Sequence, residues 1–255
     1  MSLSLGNVSI KDVYFGSIKI KEAYLGSTKV YSSGGAIPSD MDFIYQAKDF
    51  TGSYIPNKAP NSTFGDYLAS GTLYTNGSGD TCYLSSNWWE TANPGFLYKD
   101  LTTTEHDNIM AENGTYTFFI RMMNDPNIIH SDVGGIMSCR YNGGYIYMIR
   151  SNGDYLQIHD DSGRDIGSDF LLTSDRVYKI QISGQYYYAK NMETGDTWSY
   201  NSEATKEMGT KMTSFTAWDG NEHQLDRFYA FAGIARATTA EEDTLITNIL
   251  MNQSA

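Results

Sequence analysis

"YIYMIRSNGDYLQIHD", Tyr145–Asp160, reads as two strands folded about one turn. Aromatic and β-branched residues flank Asn152-Gly153, and Asn-Gly between such runs is a strong local hairpin signal. "VYKIQISGQYYYAKNM", Val177–Met192, repeats the pattern with Gly184 at its tip. Between the two, Asp161–Asp175 reads as a longer loop carrying one apolar run, Phe170–Leu172.

Further strand candidates lie on both sides: Phe43–Lys48, Thr72–Tyr74, Thr81–Leu84, Tyr116–Met122, Gly135–Arg140, Thr213–Ala217 and Arg227–Arg236. Gly/Asn/Asp turns separate them. Many short strands with such turns indicate an antiparallel sandwich or barrel. Composition agrees: 20 Tyr and 24 Gly with only 19% charged residues. Tyrosine suits a half-buried pleated surface and glycine suits tight turns. Two helices interrupt the pattern. Leu101–Gly114 offers Thr102 with Glu105, a capping box. Ala237–Asn252 offers Thr238 or Thr239 as N-cap, Glu241 and Glu242 three residues on, and an apolar face of Leu245, Ile246, Ile249 and Leu250. Its acids occupy the first turn, where the helix dipole favours them.

The front of the chain is different. Val8–Ser17 (VSIKDVYFGS) and Ile18–Ser27 (IKIKEAYLGS) share Ile, Lys, Tyr, Gly and Ser at the same offsets, and Thr28–Tyr31 begins a third copy. Each unit reads as a short strand and a turn that buries no face alone. Ser32–Ser39, SSGGAIPS, is a linker. The expected division is residues 1–35, a β-repeat segment with its linker, and residues 36–255, a single β domain.

Net charge is −12. That disfavours nucleic acid and anionic membranes as partners, and favours neutral or cationic targets. No run approaches the ~18 apolar residues of a membrane helix. The N-terminus lacks a basic start and an apolar h-region, so the expectation is cytosolic folding or a leader already removed. Cys82 and Cys139 are read as separate thiols on strands, behaving as small hydrophobes.

The order of paired hairpins, late strand and short amphipathic helix, carried by "LDRFYAFAGIARATTAEEDTLITNIL" (Leu225–Leu250), resembles the concanavalin A-like/laminin G-like jelly roll. The decapeptide units of residues 8–31 resemble N-terminal segments of bacteriophage virion proteins, tail and fibre components above all. Together the resemblances imply a phage structural protein with a lectin-like domain. Residues 1–35 would contact other virion proteins, or further copies of the chain, by β-addition. The expected location is the virion; a secreted bacterial adhesin or carbohydrate-binding module is the alternative.

Jelly-roll glucanases carry acids at E-x-D-x-(x)-E on one strand, as glycosidases require. The nearest string here, Glu193–Trp198, has the wrong spacing and reads as a hairpin turn; Glu241–Asp243 is a helix start. The four histidines, His106, His130, His159 and His223, are scattered, and no G-x-S-x-G occurs. The expectation is a protein without catalytic residues or cofactor, the alternative being a glycan-active jelly-roll enzyme that lacks a recognisable acid motif. Laminin G-like domains often hold Ca²⁺ at one rim, which would draw on the acidic loops Asp160–Asp165 and Asp219–Asp226. Neither has EF-hand spacing, and both read as solvated turns.

Aromatics are the stronger functional lead. Trp and Tyr present flat apolar faces to sugar rings, while Asn, Asp or Gln take the hydroxyls. Trp88 and Trp89 sit in the polar string SSNWWETANPG, Trp198 and Tyr200 lie just past a turn, and Trp218 precedes DGNEH. These five are the candidate ligand-binding residues. Tyr186, Tyr187 and Tyr188 alternate faces, so one or two of them face solvent.

Overall fold

A computed structural model describes residues 4–5, 8–9, 13–15, 18–20, 22–25, 28–32, 37–75, 81–83, 95–110, 114–123, 133–141, 144–152, 155–159, 165–171, 174–201, 211–214 and 227–251. In chain order the first strands are β1 (Ser4–Leu5), β2 (Val8–Ser9), β3 (Val13–Phe15), β4 (Ile18–Ile20), β5 (Glu22–Leu25) and β6 (Thr28–Ser32). They pair as three separate hairpins, β1–β2, β3–β4 and β5–β6. The hairpins straddle the decapeptide units: Val8–Ser17 contributes β2 and β3, Ile18–Ser27 contributes β4 and β5, and β3 pairs with β4 of the next unit.

The later elements are β7 (Phe43–Gln46), β8 (Tyr54–Ile55), β9 (Tyr67–Ser70), β10 (Tyr74–Thr75), β11 (Cys82–Tyr83), β12 (Phe96–Asp100), α1 (Thr103–Met110), β13 (Thr115–Met123), β14 (Val133–Tyr141), β15 (Gly144–Asn152), β16 (Tyr155–His159), β17 (Asp165–Leu171), β18 (Arg176–Ser183), β19 (Tyr186–Asn191), β20 (Thr197–Asn201), β21 (Lys211–Ser214), β22 (Arg227–Ile234) and α2 (Ala240–Met251). They build two antiparallel sheets. One runs β10-β11-β22-β13-β18-β19-β20, with β7 also on β22; the other runs β17-β16-β15-β14-β21-β12-β9-β8. The fold is an antiparallel jelly-roll sandwich closed by a short C-terminal helix.

Both diagnostic hairpins form. β15 and β16 register Asn152 with Tyr155, and β18 and β19 register Ser183 with Tyr186. Gly184 turns the second at φ +55°, a left-handed conformation that suits glycine. The segment read as a loop between them contains a strand: β17 pairs with β16 from His159↔Asp165 to Tyr155↔Leu171, across a register shift. Its Gly167 and its aspartates hide the strand pattern, and such residues are tolerated because β17 is a sheet edge.

Alternation sets two cores. Phe43, Tyr45, Tyr116, Phe118, Ile120, Tyr178, Ile180, Ile182, Tyr187 and Ala189 point between the sheets. Their neighbours Ile44, Phe119 and Val177 point outward, where Ile246 and Leu250 of α2 cover them. β22 contributes to both cores through a bulge. Arg121 pairs with Ala230 but Met122 with Phe228. The extra residue lets Phe228 and Phe231 both face inward while Ala230 and Ala232 face the helix. Buried tyrosines keep polar partners: the Tyr45 hydroxyl donates to Gly65 O at 2.8 Å and Tyr116 to Asp42 Oδ2 at 2.8 Å. Cys82 is a buried free thiol whose pKa burial pushes up to about 12. Cys139 lies on β14, in the other sheet.

Both helices start as the sequence predicts. Thr102 and Glu105 exchange backbone-to-side-chain hydrogen bonds of 2.7 and 3.3 Å, and Thr239 and Glu242 do so at 2.9 and 3.2 Å. Helix α2 is clamped at each end. Its N-terminal Asp243 takes both bonds of Lys179 on β18, at 2.9 and 2.8 Å. Its last carbonyls accept from Arg121 (Leu250 O 3.1 Å, Met251 O 3.2 Å) and from Gln46 (Ile249 O 3.1 Å). Among the described residues, no helix is long and apolar enough to cross a membrane.

Candidate functional site

The helix packs on β13, β18 and β22. Beyond it, the outer face of the same sheet continues over β18, β19 and β20, and residues 181–201 put a distinct chemistry there. Register aligns three cross-strand rows: Lys179–Lys190–Thr197, Gln181–Tyr188–Ser199 and Ser183–Tyr186–Asn201. Tyr187 between the two outer tyrosines is buried, whereas Tyr186 is 42% exposed and Tyr188 half-buried. The alternation expected of the tyrosine triplet is therefore realised, with two rings on the solvent side.

The hydrogen bonding of this face divides sharply. Near the helix, polar side chains are engaged: Lys179 with Asp243, the Thr117 hydroxyl with Arg236 O at 2.7 Å, and Ser183 with the Thr115 hydroxyl at 2.7 Å. Further out, Gln181, Tyr186, Tyr188, Lys190, Ser199 and Asn201 have no side-chain partner within the described structure. Two aromatic rings thus lie among an amide on either side, a hydroxyl and an ammonium, all facing water. Rings two residues apart on a strand stand about 7 Å apart, and directly paired neighbours have Cβ atoms about 5 Å apart. Burial, with Asp243 nearby, holds the Tyr188 phenol above its ordinary pKa, so it remains a neutral donor and acceptor at physiological pH.

Trp198 and Tyr200 take the other side of the same edge strand. They are half-buried against the inner core, with ring centroids 6.3 Å apart and planes 8° from parallel. Register sets Trp198 opposite Ala189 and Tyr200 opposite Tyr187. The structure brings these two predicted residues together on the edge strand β20, packed toward the inner core and not on the outer face. Trp88, Trp89 and Trp218 lie outside the described residues, as do Asp219–Asp226 and most of Asp160–Asp165. Among the described residues, no three His, Cys, Asp or Glu side chains cluster as a metal site. The opposite sheet also carries an outer row, Tyr54–Leu68–Tyr98, in which Tyr54 and Leu68 are exposed.

No family model matches the sequence, and no curated protein matches it. Solved structures match in architecture. A botulinum neurotoxin type C structure, of a toxin that depends on interaction with two ganglioside molecules to enter cells, aligns with TM-score 0.59 and 12% identity over 84% of this chain and 52% of that one. The binding domain of botulinum neurotoxin DC, in complex with rat synaptotagmin II, aligns with TM-score 0.57 and 13% identity over 84% and 52%. Trypanosoma rangeli sialidase, in complex with sialic acid, aligns with TM-score 0.59 and 7% identity over 91% and 36%. The chain shares their fold. It spans about half the length of the toxin chains and 36% of the sialidase.

Sequence reasoning held that one or two of Tyr186, Tyr187 and Tyr188 face solvent without naming them as binding residues, and it did not single out Gln181, Lys190, Ser199 or Asn201. Period-two alternation in Val177–Met192 assigns Gln181 and Lys190 to the solvent face. Only the register of β18, β19 and β20 shows that they flank the tyrosines.

Proposed function

We propose that this protein is a non-catalytic recognition module of a bacteriophage particle, associated with the tail or a fibre. Its sandwich binds glycan on the host surface through the Tyr186/Tyr188 face, and residues 1–35 attach it to the particle or to further copies of itself. One observation carries the binding role: two outward tyrosines surrounded by polar side chains that the fold leaves without partners. A sugar offers an apolar ring face to an aromatic side chain and hydroxyls to amides and hydroxyls. Tyrosine contributes large contact area with little rotamer entropy to lose.

The neighbours support recognition as a use of this fold, since the toxins are described with gangliosides or synaptotagmin and the sialidase with sialic acid. Their likeness extends to the fold alone. The attachment role rests on the decapeptide units. None of β1–β6 pairs with a strand of the sandwich, and lone two-stranded hairpins are marginal in water, so their edges suit pairing with another chain. The non-catalytic reading is supported by the engagement of four described acids with bases: Glu105 with Lys99, Asp175 with Arg121, Glu193 with Arg176 and Asp243 with Lys179.

The test is a glycan panel and host-cell adhesion assay on the full chain and its Tyr186→Ala/Tyr188→Ala variant. The expected result is binding by the wild type, loss in the variant, an unchanged melting temperature, and no glycan cleavage. Equal binding by the variant would remove the face from the proposal; glycan hydrolysis would replace recognition by catalysis.

A further inference from the structure

Resting on that glycan reading, we infer that the bound sugar carries a carboxylate, which Lys190 receives beside the Tyr188 ring. The outward positions of β18, β19 and β20 beyond Val177 are Lys179, Gln181, Ser183, Tyr186, Tyr188, Lys190, Thr197, Ser199 and Asn201. None is an acid, although the chain has 30 acids against 18 bases. The two lysines sit directly opposite each other, and their fates differ. Lys179 is buried and neutralised by both oxygens of Asp243. Lys190 is half-buried and has no carboxylate partner among the described residues.

The acids nearest it in sequence and register are bonded to other groups. In the turn after β19, Glu193 pairs with Arg176 and Asp196 accepts from the Thr194 hydroxyl at 2.5 Å. Asp243 is held by Lys179 and also accepts from Thr238. A half-buried lysine without a carboxylate partner among the described residues is poised for an anion from solution. A charge-assisted hydrogen bond there is stronger than a neutral one. Lys190 stands two residues from Tyr188 along β19, about 7 Å. One sugar ring on Tyr188 would reach Gln181 and Ser199 across the strands and present an acid substituent toward Lys190. Tyr186 and Asn201 would hold the next ring. The net charge of the chain had pointed to neutral or cationic targets; the local field of this face points to an acidic one.

The experiment is calorimetric titration of the full chain with matched oligosaccharides that differ in one acid group: sialyllactose against lactose, and a glucuronate-containing oligomer against its carboxyl-reduced form. The acidic member of at least one pair is expected to bind about tenfold or more tightly. Lys190→Gln should erase that preference, Lys190→Arg should keep it, and added salt should weaken it. Equal affinity for both members, unmoved by Lys190→Gln but abolished by Tyr188→Ala, would overturn the carboxylate inference and leave the glycan reading standing. Binding unaffected by Tyr188→Ala, or no binding to any member, would overturn both.

Discussion

Replacing Asp243 with alanine should be among the most damaging single changes in the C-terminal helix. The Asp243 carboxylate receives Lys179 Nζ at 2.9 and 2.8 Å and also accepts the Thr238 hydroxyl. Both charged residues are buried, Lys179 at 5% and Asp243 at 8% exposure. Without the carboxylate, Lys179 keeps its ammonium under α2, 6.0 Å from the centroid of the Phe119 ring and with no counter-charge from Asp243. Breaking a buried pair in this way costs about 3–5 kcal/mol. For a domain of this size each kcal/mol lowers Tm by about 2–4 °C, so Asp243→Ala should melt roughly 6–20 °C below wild type. Lys179→Met should cost less, because Asp243 retains Thr238 and the positive end of the helix dipole. The pair replaced together, Lys179→Met/Asp243→Leu, should recover most of the loss, since apolar replacement of a buried pair is often neutral or stabilising. Differential scanning calorimetry of the three variants, with Asp243→Leu alone as the fourth, closes a double-mutant cycle for the Met/Leu pair. An Asp243→Ala protein melting within about 2 °C of wild type would refute the reasoning, showing that the ion pair is not buried as described.

Three further outcomes follow from other sites. Arg236 holds Asp40 and Glu242, its hydrogen bonds keeping both carboxyls below their ordinary pKa; this stability is present at neutral pH and lost as pH falls through the lowered values. Arg236→Gln should therefore lower Tm modestly at pH 7, with the gap closing below about pH 4, as melts across pH would record. Gly233→Ala would place a Cβ 2.5 Å from the Phe43 ring and 2.9 Å from the Tyr116 oxygen; overpacking of this kind costs about 1–3 kcal/mol, readable in the urea midpoint. Trp198→Ala should lower Tm because Trp198 rests on the core; an unchanged melt by calorimetry would show that it does not.

Local signals were the legible ones. Both capping boxes needed only residues three apart, and Gly184 announced its hairpin. The tyrosine triplet disclosed its own alternation. What stayed hidden depends on distant pairing. β12 (FLYKD) and β20 (TWSYN) alternate too briefly to declare strands, and β17 mixes Gly and Asp into an edge. The Lys179–Asp243 pair joins residues 64 apart, and nothing local in QIS or TWSYN says that Gln181, Ser199 and Asn201 surround Tyr186 and Tyr188. Trp198 and Tyr200 drew notice as turn-adjacent aromatics. Their strand turns them toward the core side of the edge, which only the register with Tyr187 and Ala189 reveals.

The most direct test of the central claim is an amide chemical-shift titration of the full chain with the best-binding oligosaccharide from the panel. Recognition by the tyrosine face predicts that the largest perturbations cluster at Gln181, Tyr186, Tyr188, Lys190, Ser199 and Asn201, with little change at Tyr54 and Leu68 on the opposite sheet. Perturbations centred elsewhere, with these six amides unmoved, would contradict it.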